Sequence, residues 1–124
     1  MRIVLESEDA IRLEPTAGPL TIESPVPSRT YSPFHMLGSA LATCTFSVLY
    51  SWANAARLPV DNLVIRVEWE FAENPHRVGE LRMTYVWPEL PKEREAAAQR
   101  AAELCAISAT LRHGPTISVQ RSNG

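Results

Sequence analysis

The two cysteines are the residues of this chain best suited to chemistry, and they lie far apart in sequence. Cys44 closes the run Ser32-Pro-Phe-His-Met-Leu-Gly-Ser-Ala-Leu-Ala-Thr-Cys44-Thr45, which contains no Asp, Glu, Lys or Arg. Cys105 lies in Ala101-Ala-Glu-Leu-Cys105-Ala-Ile-Ser-Ala-Thr-Leu-Arg-His113. A thiolate can attack a peroxide O–O bond and become a sulfenic acid. A second thiol then condenses with that sulfenic acid to a disulfide, which an external dithiol reduces. The alternative is packing, because free cysteine is among the most buried residue types and behaves as a small hydrophobe. The residues alone leave both readings open. A metal site built from His35, Cys44 and His113 lacks the short paired spacing such sites use, so neither metal nor cofactor is expected.

The elements that must position these sulfurs follow from the pattern of apolar residues. Ile3, Leu5, Ile11 and Leu13 alternate with Arg2, Glu6, Arg12 and Glu14, giving two half-buried strands around a Ser7-Glu8-Asp9 turn. A third strand is expected near Leu20 to Ile22. The prolines of Ser24-Pro-Val-Pro-Ser-Arg-Thr-Tyr31 make that stretch a connector. Ser32 then offers an N-cap and Pro33 the first helical position. A helix from there should end near Arg57, because the residue before Pro59 is disfavoured in helical geometry.

Leu63, Ile65, Val67, Trp69 and Phe71 alternate with Arg66, Glu68 and Glu70, the clearest strand in the chain. Leu81, Met83, Tyr85 and Trp87 repeat the pattern after a Glu73–Arg77 loop and complete a hairpin. Lys92 to about Arg112 reads as one Ala-rich helix with an inward stripe of Ala97, Ala101, Leu104, Cys105, Ser108 and Leu111. Thr116 to Gln120 reads as a last strand after Gly114-Pro115. The expected class is therefore α+β in the order βββ-α-ββ-α-β, with a long buried central helix and a single domain over residues 1–124. Both cysteines fall on inward faces of the two long helices, where they can meet.

Composition excludes other classes. Twelve Lys and Arg against 14 Asp and Glu leave a net charge of −2, with no basic block to follow phosphates, so no nucleic-acid partner is expected. Met36 to Ala56 is charge-free and about as long as a bilayer span requires. Its Ser39, Thr43, Thr45, Ser47, Ser51 and Asn54 favour a buried core helix over a membrane span. Acidic residues in the first nine positions argue against a secretory signal, and a cytoplasmic location is expected, where thiols stay reduced.

"SPFHMLGSALATCT", followed much later by "AAELCAISATLRHGPTISV", resembles the OsmC-like family, which includes the organic hydroperoxide resistance proteins. That family places Ala-x-x-x-Cys on a central helix and Cys-Pro-x-Ser-x-x-Leu on a second. The resemblance runs from Ser32 to Val119. It implies a two-layer α+β fold, an intertwined homodimer, and a thiol-dependent peroxidase acting on organic hydroperoxides. It also implies Cys44 as the attacking residue, Cys105 as the resolving one, and a dithiol or lipoylated protein as reductant.

Active members also carry a glutamate at the start of the central helix and an arginine from the N-terminal sheet. At that turn this chain has Pro33-Phe34-His35-Met36 and no acid, so His35 cannot complete a capping box with Ser32 as a glutamate does. His35 is the candidate to replace the glutamate. Nine residues put it about 13.5 Å along the helix from Cys44 and half a revolution away, so it reaches the thiol only through a bend or from a second subunit. Arg29 is preferred to Arg12 as the arginine. The alternative to a peroxidase is a non-catalytic dimer of this fold that binds a small apolar ligand in its interface cleft.

Overall fold

In the computed structural model, which describes residues 1–124, one five-stranded sheet carries the helices on one face. β1 (Arg2–Ser7) and β2 (Ala10–Glu14) form an antiparallel hairpin, and β2 pairs antiparallel with β4 (Val64–Ala72), which pairs with β5 (Arg77–Val86). The short β3 (Thr21–Glu23) runs parallel to β1, so the order across the sheet is β3-β1-β2-β4-β5.

Strand alternation separates the two faces. Ile3, Leu5, Ile11, Leu13, Leu63, Ile65, Val67 and Trp69 are all buried under the helices. Burying side chains of this size contributes about 1.5–3 kcal/mol each and is what holds the layers together. The opposite face is a ladder of ion pairs in which Arg2 and Arg12 meet Glu14, Arg12 and Arg66 meet Glu6, and Arg66 and Arg82 meet Glu68. The pairs on this face are solvent-screened on the Arg side while Glu6 and Glu14 are partly covered, and surface pairs contribute about 0–1 kcal/mol each.

α1 (Pro33–Ala56) begins and ends where Ser32 and Arg57 place its caps, Arg57 adopting the left-handed conformation with φ 58°. The helix is long and apolar enough to cross a membrane, yet it packs on β2 and β4 and against two later helices. Its buried face is His35, Gly38, Ser39, Leu41, Ala42, Thr45, Phe46, Leu49 and Ala53. Gly38 allows the close approach to the sheet, since a Cβ there would stand 3.0 Å from the Trp69 ring. Met36 and Tyr50 point outward, so the helix is buried on one side rather than all round.

Two expectations are overturned. Lys92 to Arg112 is not one helix but a 3-10 turn (Lys92–Arg94), α2 (Glu95–Ala102) and α3 (Ala106–His113), with Leu104 76% exposed at the break. No glycine or proline lies at Glu103-Leu104-Cys105, so local propensity does not cause the break. Cys105 is drawn out of helical geometry, at φ −66° and ψ 125°, and into the core. Thr116–Gln120 forms no strand: Ile117 and Val119 are 83% and 94% exposed. A strand exists only through a neighbour's hydrogen bonds, and this segment has no neighbour within the chain.

Candidate functional site

Cys44 and Cys105 come together where α1 packs against α3. Both are free thiols, with Cys105 wholly buried and Cys44 half-buried at the edge of the core. Cys44 is more open than its sequence context implies. The core-facing line of α1 runs through Ala42, Thr45 and Leu49, roughly 100–160° of helical rotation from Cys44. A helix without one charged residue carries no polar face to fix its rotation, and tertiary packing chose it.

Cys105 occupies the N-cap of α3, and its Sγ accepts a hydrogen bond from the backbone N–H of Ser108 at 3.4 Å. Burial pushes the Cys105 thiol up. The neighbouring Cys44 thiol, the Ser108 N–H that donates to the sulfur, the Thr45 hydroxyl and the Ile107 N–H together outweigh it and bring the pKa below the ordinary thiol value. Thr45 is 1% exposed, and its Oγ1, close enough to influence the Cys105 sulfur, makes no hydrogen bond. All the lowering influences are neutral donors; no guanidinium is among them.

Thr45 and Ser108 are the site residues that sequence reading missed. The signal for Ser108 was present in Cys105-Ala-Ile-Ser108, which has the spacing of a side-chain acceptor three residues before a helix N–H. Thr45 carried no comparable signal.

The other candidates stand elsewhere. His35 is 2% exposed in the first turn of α1, nine residues before Cys44 at the middle of the helix. Contrary to expectation it does complete a capping box with Ser32: Nδ1 accepts from the Ser32 N–H at 3.1 Å while the Ser32 Oγ accepts from the His35 N–H at 3.3 Å. Nε2 then donates to the Ser7 carbonyl at 2.9 Å. An imidazole can do this because its two nitrogens split acceptor and donor roles, which a carboxylate cannot. Its ring also meets Trp69 edge-on, with centroids 5.3 Å apart. Arg12 is committed to Glu6 and Glu14 on the outer face, and Arg29 reaches only the Leu5 carbonyl, at 3.5 Å. Neither contacts a cysteine. No cluster of His, Cys, Asp or Glu capable of holding a metal forms.

A groove of about 640 Å³ runs between α1, β5 and the α2–α3 pair. Leu37, Leu41, Leu81, Met83 and Leu111 give it an apolar floor, and Glu103 and Arg112 flank it. Neither sulfur lines it, but Leu41 precedes Cys44 by about one helical turn, and Ser108 is the residue whose N–H holds Cys105.

A two-layer α+β fold with two thiols brought together at a helix junction is the class of protein this fold and site define. The OsmC-like protein family matches residues 26–120, and the chain belongs to that family. Among solved structures, one similar chain comes from Psychrobacter arcticus 273-4 and is assigned to the osmotic-stress-induced, detoxification-response proteins. It has a TM-score of 0.62 and 20% identity, covering 68% of this chain and 62% of that one. The aligned part thus spans less than two thirds of that protein. Another is an OsmC-like hydroperoxide resistance protein from Jannaschia sp. CCS1, with a TM-score of 0.60 and 21% identity over 80% of this chain and 71% of that one. No curated protein matches.

Proposed function

We propose that this protein is a thiol-dependent peroxidase of organic hydroperoxides. The observation that carries the reading is the meeting of Cys44, partly open, with a buried Cys105 whose sulfur is prepared to hold negative charge. The Cys44 sulfur attacks one oxygen of the O–O bond, its proton passing to the Cys105 sulfur. The other oxygen, the one bound to carbon, departs with the bonding pair, takes up a proton from solvent and leaves as the alcohol. Cys105 then attacks the Cys44 sulfenic acid, hydroxide leaves as water, and the Cys44–Cys105 disulfide remains for a dithiol or lipoylated protein to reduce. The apolar groove beside Leu41 suits a lipophilic hydroperoxide.

A homodimer belongs to the same reading. Met36, Ala40, Ser47 and Tyr50 form an exposed uncharged stripe on α1, and Ile117 and Val119 form an unpaired apolar strand pattern. The stripe lies roughly on the far side of the helix from Thr45, and Cys44 stands between the two, on the side of Leu37 and Leu41.

Steady-state turnover of cumene hydroperoxide with dithiothreitol or dihydrolipoamide, wild type against Cys44→Ser, tests the function. Activity in the wild type and its loss in the variant are expected. Equal, negligible rates would instead favour a non-catalytic dimer using the groove for a small apolar ligand, a reading supported by the absence of a guanidinium at the thiols.

A further inference from the structure

The two sulfurs of a Cys44–Cys105 bridge would not be equivalent, and this bears on how the bridge is reopened. The inference rests on the peroxidase reading only in requiring that bridge. Cys105 Sγ is 0% exposed and caps α3, facing the Ser108 N–H at 3.4 Å. The Thr45 hydroxyl, buried and without a hydrogen-bond partner, lies close enough to influence the same sulfur and is free to donate to it once it carries charge. Cys44 has no such set of donors, and it sits at the core's edge on the groove side of α1. In thiol–disulfide exchange the attacked sulfur must be accessible, and the departing sulfur must carry the charge well. One sulfur meets the first condition and the other meets the second.

We propose that the bridge has a fixed polarity: a reducing thiolate enters on Cys44 Sγ, and the S–S bond breaks with its electron pair leaving on Cys105 Sγ, where Ser108 and Thr45 receive the charge. The first product is a mixed disulfide on Cys44. The second thiol of a dithiol then attacks the reductant's own sulfur in that mixed disulfide. Cys44 leaves as a thiolate, and the reductant departs as its cyclic disulfide. The protein gains two electrons, and the two protons of the dithiol end on the two cysteines or in solvent. A monothiol cannot make the second step internally, and the Cys105 thiolate, still adjacent, expels it and closes the bridge again. Ser108 and Thr45 act through Cys105 and are positioning residues.

The test uses the full chain oxidised with one equivalent of diamide, a route that does not depend on peroxidase activity. Brief exposure to glutathione, acid quenching and peptide mapping should place the glutathione adduct on Cys44. Thr45→Val removes the hydroxyl at nearly constant volume, and Ser108→Pro removes the N–H of the third residue of α3, one of the first-turn donors that have no intrahelical carbonyl partner. Each should slow reduction of the bridge by dithiothreitol about threefold, because the departing sulfur then carries its charge less well. Should Ser108→Pro fail to fold, Thr45→Val alone carries the rate measurement. An adduct on Cys105, an even division between the cysteines, an unchanged rate in Thr45→Val, or failure of diamide to form the bridge overturns the proposal. A polar bridge in a protein that cumene hydroperoxide does not oxidise would remove the peroxidase function and leave this inference standing.

Discussion

Replacing His35 by alanine distinguishes a histidine that holds the fold from one that serves the thiols. The imidazole satisfies the Ser32 N–H and the Ser7 carbonyl and fills space beside Trp69 and Tyr31. Losing a helix cap costs about 1 kcal/mol. Stranding the part-buried Ser7 carbonyl costs about 1 kcal/mol more, and the cavity left by the ring a similar amount. The total of about 3 kcal/mol corresponds to a fall in Tm of about 10 °C for a domain of this size. His35→Gln should recover more than half of it. Glutamine is a normal capping-box partner for Ser32, and its amide supplies an acceptor and a donor about as far apart as the two ring nitrogens. Thermal unfolding followed by circular dichroism reads the stability. Iodoacetamide modification of Cys44 at 15 °C reads any effect on the thiols and should match wild type within about twofold. A Tm within 2 °C of wild type, or a tenfold fall in alkylation rate with the fold intact, refutes this account of His35.

Several other outcomes are expected. Because the folded Cys105 thiol lies below its unfolded value of about 8.5, it adds stability to the reduced protein that is fully present above pH 8.5 and lost as pH falls through the folded pKa. Urea midpoints between pH 6 and 9.5 should therefore diverge between wild type and Cys105→Ser toward the alkaline end. Glu14 is held below the usual carboxylate range, first by its hydrogen bond from Arg2 and then by Arg12. Its contribution is lost as pH falls through that lowered pKa, so Glu14→Gln should flatten the acid limb of the stability curve below about pH 4. Arg66→Ala, which removes exposed pairs to Glu6 and Glu68, should cost under about 1 kcal/mol, and 0.5 M NaCl should reduce the difference. Ile117→Lys with Val119→Lys should turn a dimer into a monomer by sedimentation velocity at matched concentration. No change in mass would detach the C-terminal segment from assembly.

The sequence by itself determined the parts that rest on local chemistry. Strand alternation in 2–14 and 63–87 placed the buried residues on the sheet's inner face, and Ser32, Pro33 and Pro59 bounded α1. These signals are legible because period-2 burial and capping involve residues close together in the chain. The resemblance carried by the two cysteine segments reached the family. Only the tertiary structure decided the rotation of α1, because an uncharged helix offers the sheet no single preferred face. It also decided the break at Cys105, where no helix-breaking residue exists and burial of the sulfur against α1 overrides alanine-rich propensity. His35 serving as capping-box partner and tie to Ser7 was equally invisible, since it depends on the β1–β2 turn meeting the start of α1. The orphaned Thr45 hydroxyl beside Cys105 arises from two helices 60 residues apart in sequence, and a contact of that kind exists only once the core has closed.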